Sequence, residues 1–159
     1  VIATSTIAKR SALRGILTGA VIAGVLDATF AVVVDVVILR AFSLLGLLQW
    51  IASGAIGSIA FRGGVATAAL GVAIHFALAG FFAILYWIAS LRIDALRTHA
   101  VPLGILYGAA IWLVMDLIVL PNSGVPKAAF DPVVFTAFLF DHALFVGLPI
   151  ALAIKRYTG

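Results

Sequence analysis

Read by hydrophobic and polar positions, the chain divides into four long apolar runs: Gly15 to Leu39, Gly64 to Ala89, Val101 to Leu120 and Pro132 to Ile154. Each provides the roughly 20 residues that a helix, rising about 1.5 Å per residue, needs to cross ~30 Å of hydrocarbon. A fifth run, Ala41 to Phe61, is uncharged and long enough to span, but Gly46, Gly54, Gly57 and three serines interrupt it. On a helical projection Gly46, Gln49, Ser53 and Gly57 share one stripe, with Leu44, Leu48, Trp50, Ile51 and Phe61 away from it. That pattern predicts an amphipathic helix lying at, or dipping into, the outer surface. The connection from Ser90 to Ala100 carries Arg92, Asp94, Arg97 and His99, and the cluster Pro121, Asn122, Ser123, Gly124 and Pro126 stops the third span. No long linker appears, so residues 1–159 read as a single transmembrane domain.

Composition agrees with that reading. The 159 residues are 65% hydrophobic and 10% charged, far more apolar surface than one small soluble core can bury. The ten Lys and Arg sit mostly in the connections and form no patch suited to nucleic acid. With Ala41 to Phe61 not crossing, one side carries Lys9, Arg10, Arg14, Arg92, Arg97, Lys155 and Arg156, against Arg40, Arg62 and Lys127 opposite. With it crossing, the bias vanishes. The positive-inside rule therefore predicts four spans with both termini cytoplasmic. The absence of cysteine excludes disulfides, thiolate nucleophiles and thiolate metal sites. The first run is about twice the length of a signal-peptide core and holds Asp27 and Asp35, so it reads as a retained helix.

The segment Gly15 to Asp27 recurs 89 positions later as Gly104 to Asp116, with eight of thirteen pairs identical, including two glycines and the aspartate. Glycine and Asp are not matched by hydrophobicity alone, so this reads as an internal duplication. His75 followed by Gly80, and His142 followed by Gly147, repeat a weaker pattern in the even spans. The expected fold is all-α: a membrane four-helix bundle of two duplicated helical hairpins related about the membrane normal. An interfacial or re-entrant helix is inserted in the first.

Asp27, His75, Asp116 and His142 lie 12 to 14 residues from the cytoplasmic ends of their runs. They fall about 18 to 21 Å deep and form one tier. An intramembrane carboxylate costs roughly 2.5 to 3.5 kcal/mol on insertion scales, so the acids should face the bundle interior. Small residues mark that face, with Gly15, Gly19, Ala23 and Asp27 on one ridge and Gly104, Gly108, Trp112 and Asp116 on another. Asp35 and Asp141 are secondary candidates, Asp35 within reach of Arg40 or Arg62, Asp141 about 100° round the helix from His142. The tier admits a structural reading, in which Asp–His pairs fix helix register. It also admits a proton or cation pathway, a two-His, two-Asp metal site, or bis-histidine haem through His75 and His142. The cofactor is open on sequence alone. No Ser-His-Asp set, phosphate loop or dinucleotide fingerprint is present.

The phrases Thr18 to Asp27, Tyr107-Gly108-Ala109 through Pro121, and Gly147-Leu148-Pro149-Ile150-Ala151-Leu152 resemble a group of small four-helix bacterial inner-membrane proteins. The resemblance implies a bacterial inner-membrane location and carries over no activity or catalytic residue. Small size and short connections favour a non-catalytic structural or accessory component that binds lipid, a membrane-protein partner or further copies of itself. The alternative is a small proton- or cation-coupled transporter or channel using Asp27, His75, Asp116 and His142, and a haem- or metal-binding membrane protein comes third.

Overall fold

The computed structural model describes residues 2–127 and 129–158, with side chains from Ser11 onward. Lys9 and Arg10 of the charge count therefore lie outside the described side chains. Every element is helical. Helix α1 (Ile2–Ala31) continues through wider, π-type turns over Val32–Ile38. Helix α2 (Leu44–Ile56) ends in a 3-10 segment, Gly57–Arg62, and leads into α3 (Gly64–Ser90). A single-turn α4 (Ala95–Thr98) precedes α5 (Ala100–Val114), which widens over Met115–Val119 and tightens over Leu120–Asn122. Finally α6 (Pro132–Asp141) runs through a π segment, His142–Gly147, into α7 (Leu148–Thr158). Among the described residues, five stretches are long and apolar enough to cross a membrane: Ser11–Ile38, Leu44–Arg62, Gly64–Ser90, Ala100–Asn122 and Pro132–Thr158.

Local rules account for the ends. Asp131 caps α6 by accepting from the Val133 and Val134 amides at 2.8 and 3.2 Å, with Pro132 in the first turn where its missing N–H is no loss. Ser43 caps α2 through the Gly46 amide. Helix α1 stops at Arg40, whose φ of 51° is left-handed, and the Ala41 amide closes back on the Asp35 carbonyl at 2.9 Å. Two of the three π segments precede a proline by two residues, Pro121 after Val119 and Pro149 after Gly147. A proline inside a helix lacks a donor and clashes with the carbonyl four residues back, and widening the preceding turns relieves both.

The α6–α7 rod is the centre of the molecule. Its most apolar window is 56% buried, against 11% for that of α1. Helices α1 and α5 pack on it, α3 lies against α1, and α2 lies against α3. Lipid tails are as apolar as these side chains, so association rests on close van der Waals contact, which glycine permits. A Cβ on Gly19 would meet the Ile150 backbone at 3.2 Å, and one on Gly104 would meet Leu148 Cα at 3.1 Å. The aligned glycines of the sequence repeat thus both face the last rod. A two-fold relating two hairpins would instead send Gly104 and Gly108 to α3, where Gly80 has open space around it. At the opposite end from α2, the core closes around Tyr86, Ile150 and Ile154. There the Tyr86 hydroxyl donates to the Leu96 carbonyl, and that of Tyr107 to Phe82, both at 2.7 Å.

Helix α2 packs on the first turns of α3. Gln49 Nε2 donates to the Gly64 carbonyl at 3.1 Å and to Thr67 Oγ1 at 3.2 Å, Thr67 Oγ1 donates to the Ala60 carbonyl at 2.6 Å, and Leu48 presses its carbonyl on Gly71. Residues of α2 around Leu48 and Gln49, and Ala60 of the 3-10 segment that follows it, therefore meet the first two turns of α3. The last turn of α2 meets the turn after α5, where the Gly124 amide donates to the Gly54 carbonyl at 3.1 Å. The helix crosses one end of the bundle. Its polar stripe points inward, with Gln49 and Ser53 buried, while Leu44 and Ile59 are exposed. A helix resting on water would present the opposite face.

Candidate functional site

Asp27 is the hub of the polar tier. It projects from α1 four residues beyond Ala23, which is fully buried against the bundle. His75, from α3, sets its Nδ1 3.8 Å from Asp27 Oδ2, and the two side chains are only 16% and 18% exposed. The other ring nitrogen of His75 lies 2.8 Å from the Gly24 carbonyl. A carbonyl only accepts, so Nε2 carries the hydrogen, and Nδ1 faces the carboxylate.

The second acid at the hub is Asp141, not Asp116. Asp141 and His142 are consecutive residues at the junction where α6 widens into the π segment. In a regular helix neighbours diverge by about 100°, but here both side chains serve one site. One donor atom from each of Asp27, Asp141 and His142 lies within 4.8 Å of the other two. His142 Nδ1 is 3.1 Å from Asp141 Oδ2 but makes its hydrogen bond to the Phe138 carbonyl, also at 3.1 Å. Asp141 is fully buried, and neither of its carboxylate oxygens receives a hydrogen bond from the described residues. Buried polar groups are nearly always paired, and an ionised one left bare is costly enough to be neutralised.

Packing explains why the junction sits where it does. Helix α5 approaches so closely that a Cβ on Gly108 would meet the His142 carbonyl group and lie 2.8 Å from Ala143 Cα. Gly147 interlocks from the other side against Gly104 and Gly108. The same helix supplies Trp112, whose ring centroid is 4.9 Å from that of His142 and 5.4 Å from Phe138, against which it stacks. Phe30 meets Phe138 edge-on at 5.5 Å. A chain of rings therefore runs from Phe30 through Phe138 and Trp112 to His142. The indole Nε1 of Trp112 is buried without an acceptor among the described residues.

Of the four tier residues read from sequence, the fold brings Asp27, His75 and His142 together and leaves Asp116 apart. Asp116 lies in the widened turns of α5, partly buried, with no ion pair or side-chain hydrogen bond among the described residues. The fold does not pair Asp116 with His142. Its i−4 neighbour Trp112 occupies the inward position instead. Asp35 likewise forms no ion pair with Arg40 or Arg62 and contributes its backbone carbonyl to the end of α1. The role of Asp141 was visible only as a secondary candidate, and Pro149 was the signal for the distortion that recruits it. Each imidazole is fixed through one ring nitrogen, Nε2 of His75 at the Gly24 carbonyl and Nδ1 of His142 at the Phe138 carbonyl.

Beside the site, an apolar groove of about 340 Å³ is lined by Val25, Ala28, Thr29, Val32, Val33 and Phe76. The Phe76 ring stands edge-on to His75 at 5.3 Å and separates the two. Comparison with family models, with curated proteins and with solved structures returns no match, so residues and geometry carry the functional argument.

Proposed function

We propose that this chain is an integral membrane protein that handles a cation, a proton or a metal ion, at the centre of its helical bundle. Asp27, Asp141 and His142 hold the cation, and His75 orients Asp27. The observation that carries the reading is Asp141, fully buried with neither oxygen hydrogen-bonded among the described residues. A pair serving only to fix helix register satisfies its own polar groups, whereas the Asp141 carboxyl meets only His142 and the Asp27 carboxyl, a pairing that needs a shared proton or another cation. We place the protein in a bacterial inner membrane with four crossings and both termini cytoplasmic. Helix α2 then lies within the outer half of the bilayer, apolar face to lipid and polar stripe to the bundle. The thirteen-residue repeat, 89 positions apart, is read as a duplicated hairpin whose second copy retained the glycine ridge but redirected its acid.

The test is reconstitution of the full chain in liposomes, with an internal pH indicator and an imposed potential, beside a Zn2+ indicator for metal flux. Wild type should pass or exchange the cation, while Asp141→Asn and Asp27→Asn stay folded and lose it. Silence from wild type in flux, in metal content and in carboxyl protonation would leave only the accessory role. The apolar groove between α1 and α3 favours that second reading, since its lining suits an acyl chain or a partner helix.

A further inference from the structure

We infer that the cation is a divalent first-row transition ion, of the zinc or manganese class, bound by Asp27, Asp141 and His142. This rests on the cation reading above and narrows it. Three observations converge. Donor atoms of these residues lie within 4.8 Å of one another. A tetrahedral ion with ligand bonds of about 2.0 to 2.2 Å holds its donors roughly 3.3 to 3.6 Å apart, so small side-chain rotations close the set. Asp141 is fully buried at the cluster, and neither of its oxygens receives an N–H or hydroxyl hydrogen bond from the described residues.

The second observation is how the two histidines are held. His142 is anchored through Nδ1 on the Phe138 carbonyl, and His75 through Nε2 on the Gly24 carbonyl. Metal sites commonly fix an imidazole by tying its other ring nitrogen to a backbone carbonyl, and support a ligating carboxylate with a neighbouring polar group. His142 fits the first role, with Nδ1 at the Phe138 carbonyl and Nε2 left as the ligating nitrogen. His75, 3.8 Å from Asp27 Oδ2 and outside the three-residue group, fits the second as a positioning residue.

The third is charge. Two carboxylates and one divalent ion sum to zero, with neutral imidazoles adding nothing, and a low-dielectric interior favours that total. The mixed oxygen and nitrogen donors suit zinc, manganese, iron or cobalt better than the all-oxygen shells of magnesium and calcium. The chain has no cysteine to recruit softer ions.

The experiment uses the full chain, purified in mild detergent, stripped with chelator and titrated with Zn2+, Co2+ and Mn2+. Metal content, the Co2+ visible spectrum and the shift in thermal unfolding are the readouts. We expect about one ion per chain, a Co2+ spectrum of mixed nitrogen and oxygen ligation, and a rise in thermal stability that chelator reverses. Asp141→Asn and His142→Ala should each abolish binding. His75→Ala should weaken it about 10- to 100-fold, the usual effect of losing a ligand's support. Asp116→Asn, outside the cluster, should bind as wild type does. Should Asp141→Asn fail to fold, Asp27→Asn supplies the same arm. A folded wild type that takes up none of the three ions overturns the metal assignment, as does equal loss in Asp116→Asn. An infrared protonated-carboxyl band that disappears in Asp141→Asn, without metal uptake, leaves the proton form of the cation reading standing. Absence of both signals removes both.

Discussion

Replacing Gly108 by alanine tests whether the α5 approach builds the site. A Cβ there would lie 2.7 Å from the His142 carbonyl carbon and 2.8 Å from Ala143 Cα. Carbon atoms rest at about 3.5 to 4.0 Å, so two backbones must separate by at least roughly 0.8 to 1.3 Å. No flexible side chain is there to yield. Overpacking of this kind costs about 1 to 3 kcal/mol, and backbone against backbone belongs at the upper end. Gly80 provides the matched control, because a Cβ there meets nothing within 4 Å. In a helix interior Gly→Ala otherwise gains about 1 kcal/mol in both variants, so the two should differ by the overpacking cost alone, roughly 1 to 3 kcal/mol. Equilibrium unfolding in mixed micelles with rising denaturing detergent, followed by tryptophan fluorescence, measures the difference. Trp112, buried against Phe138 and His142, reports the same neighbourhood directly. Gly108→Ala should be the less stable and should shift Trp112 emission, with Gly80→Ala at or above wild type. If the two variants agree within about 0.5 kcal/mol, the contact does not hold α5 to the π segment, and the account of how Asp141 and His142 are placed fails.

Two further predictions concern α2. Gln49→Leu removes the donor to the Gly64 carbonyl and to Thr67, and should cost about 1 to 2 kcal/mol in the same unfolding assay, whereas Leu44→Gln on the lipid-facing side should leave those hydrogen bonds intact; equal loss from both would mean the stripe is not anchored as described. Because the chain has no cysteine, Arg40→Cys and Arg62→Cys can be labelled singly with a membrane-impermeant maleimide in intact cells and in inverted vesicles. Both should label from the same, outer side and Arg92→Cys from the other, while opposite labelling of positions 40 and 62 would make α2 a full crossing.

Much of the architecture was legible in the residues themselves. Hydrophobic run length exposes membrane helices because an unpaired backbone in lipid is so costly that any apolar run of about 20 residues becomes helical. The runs beginning at Gly64 and Pro132 start where the helices start. The glycine ridge of α1 does face a neighbouring helix, and Asp27 and His75 do meet. These are local properties: period, cap chemistry and the cost of charge in lipid act within one helix.

Which helices meet was decided only by the tertiary structure. The repeat is equally compatible with either neighbour for Gly104 and Gly108, since small residues say that a helix comes close without saying which one. In the fold both copies close on the α6–α7 rod, and that choice leaves Asp116 apart while bringing Asp27 to His142. Regular helical geometry also places Asp141 off the face of His142, and the widened turn ahead of Pro149 removes that restriction. A distortion of one turn changes which side chains share a face, and its effect depends on the neighbour pressed against it, here Gly108. Likewise the polar stripe of α2 was readable as a stripe, but whether it faces water or protein depends on Gly64 and Thr67 offering partners from another helix. Sequence periodicity defines the faces of a helix, and only packing decides what each face meets.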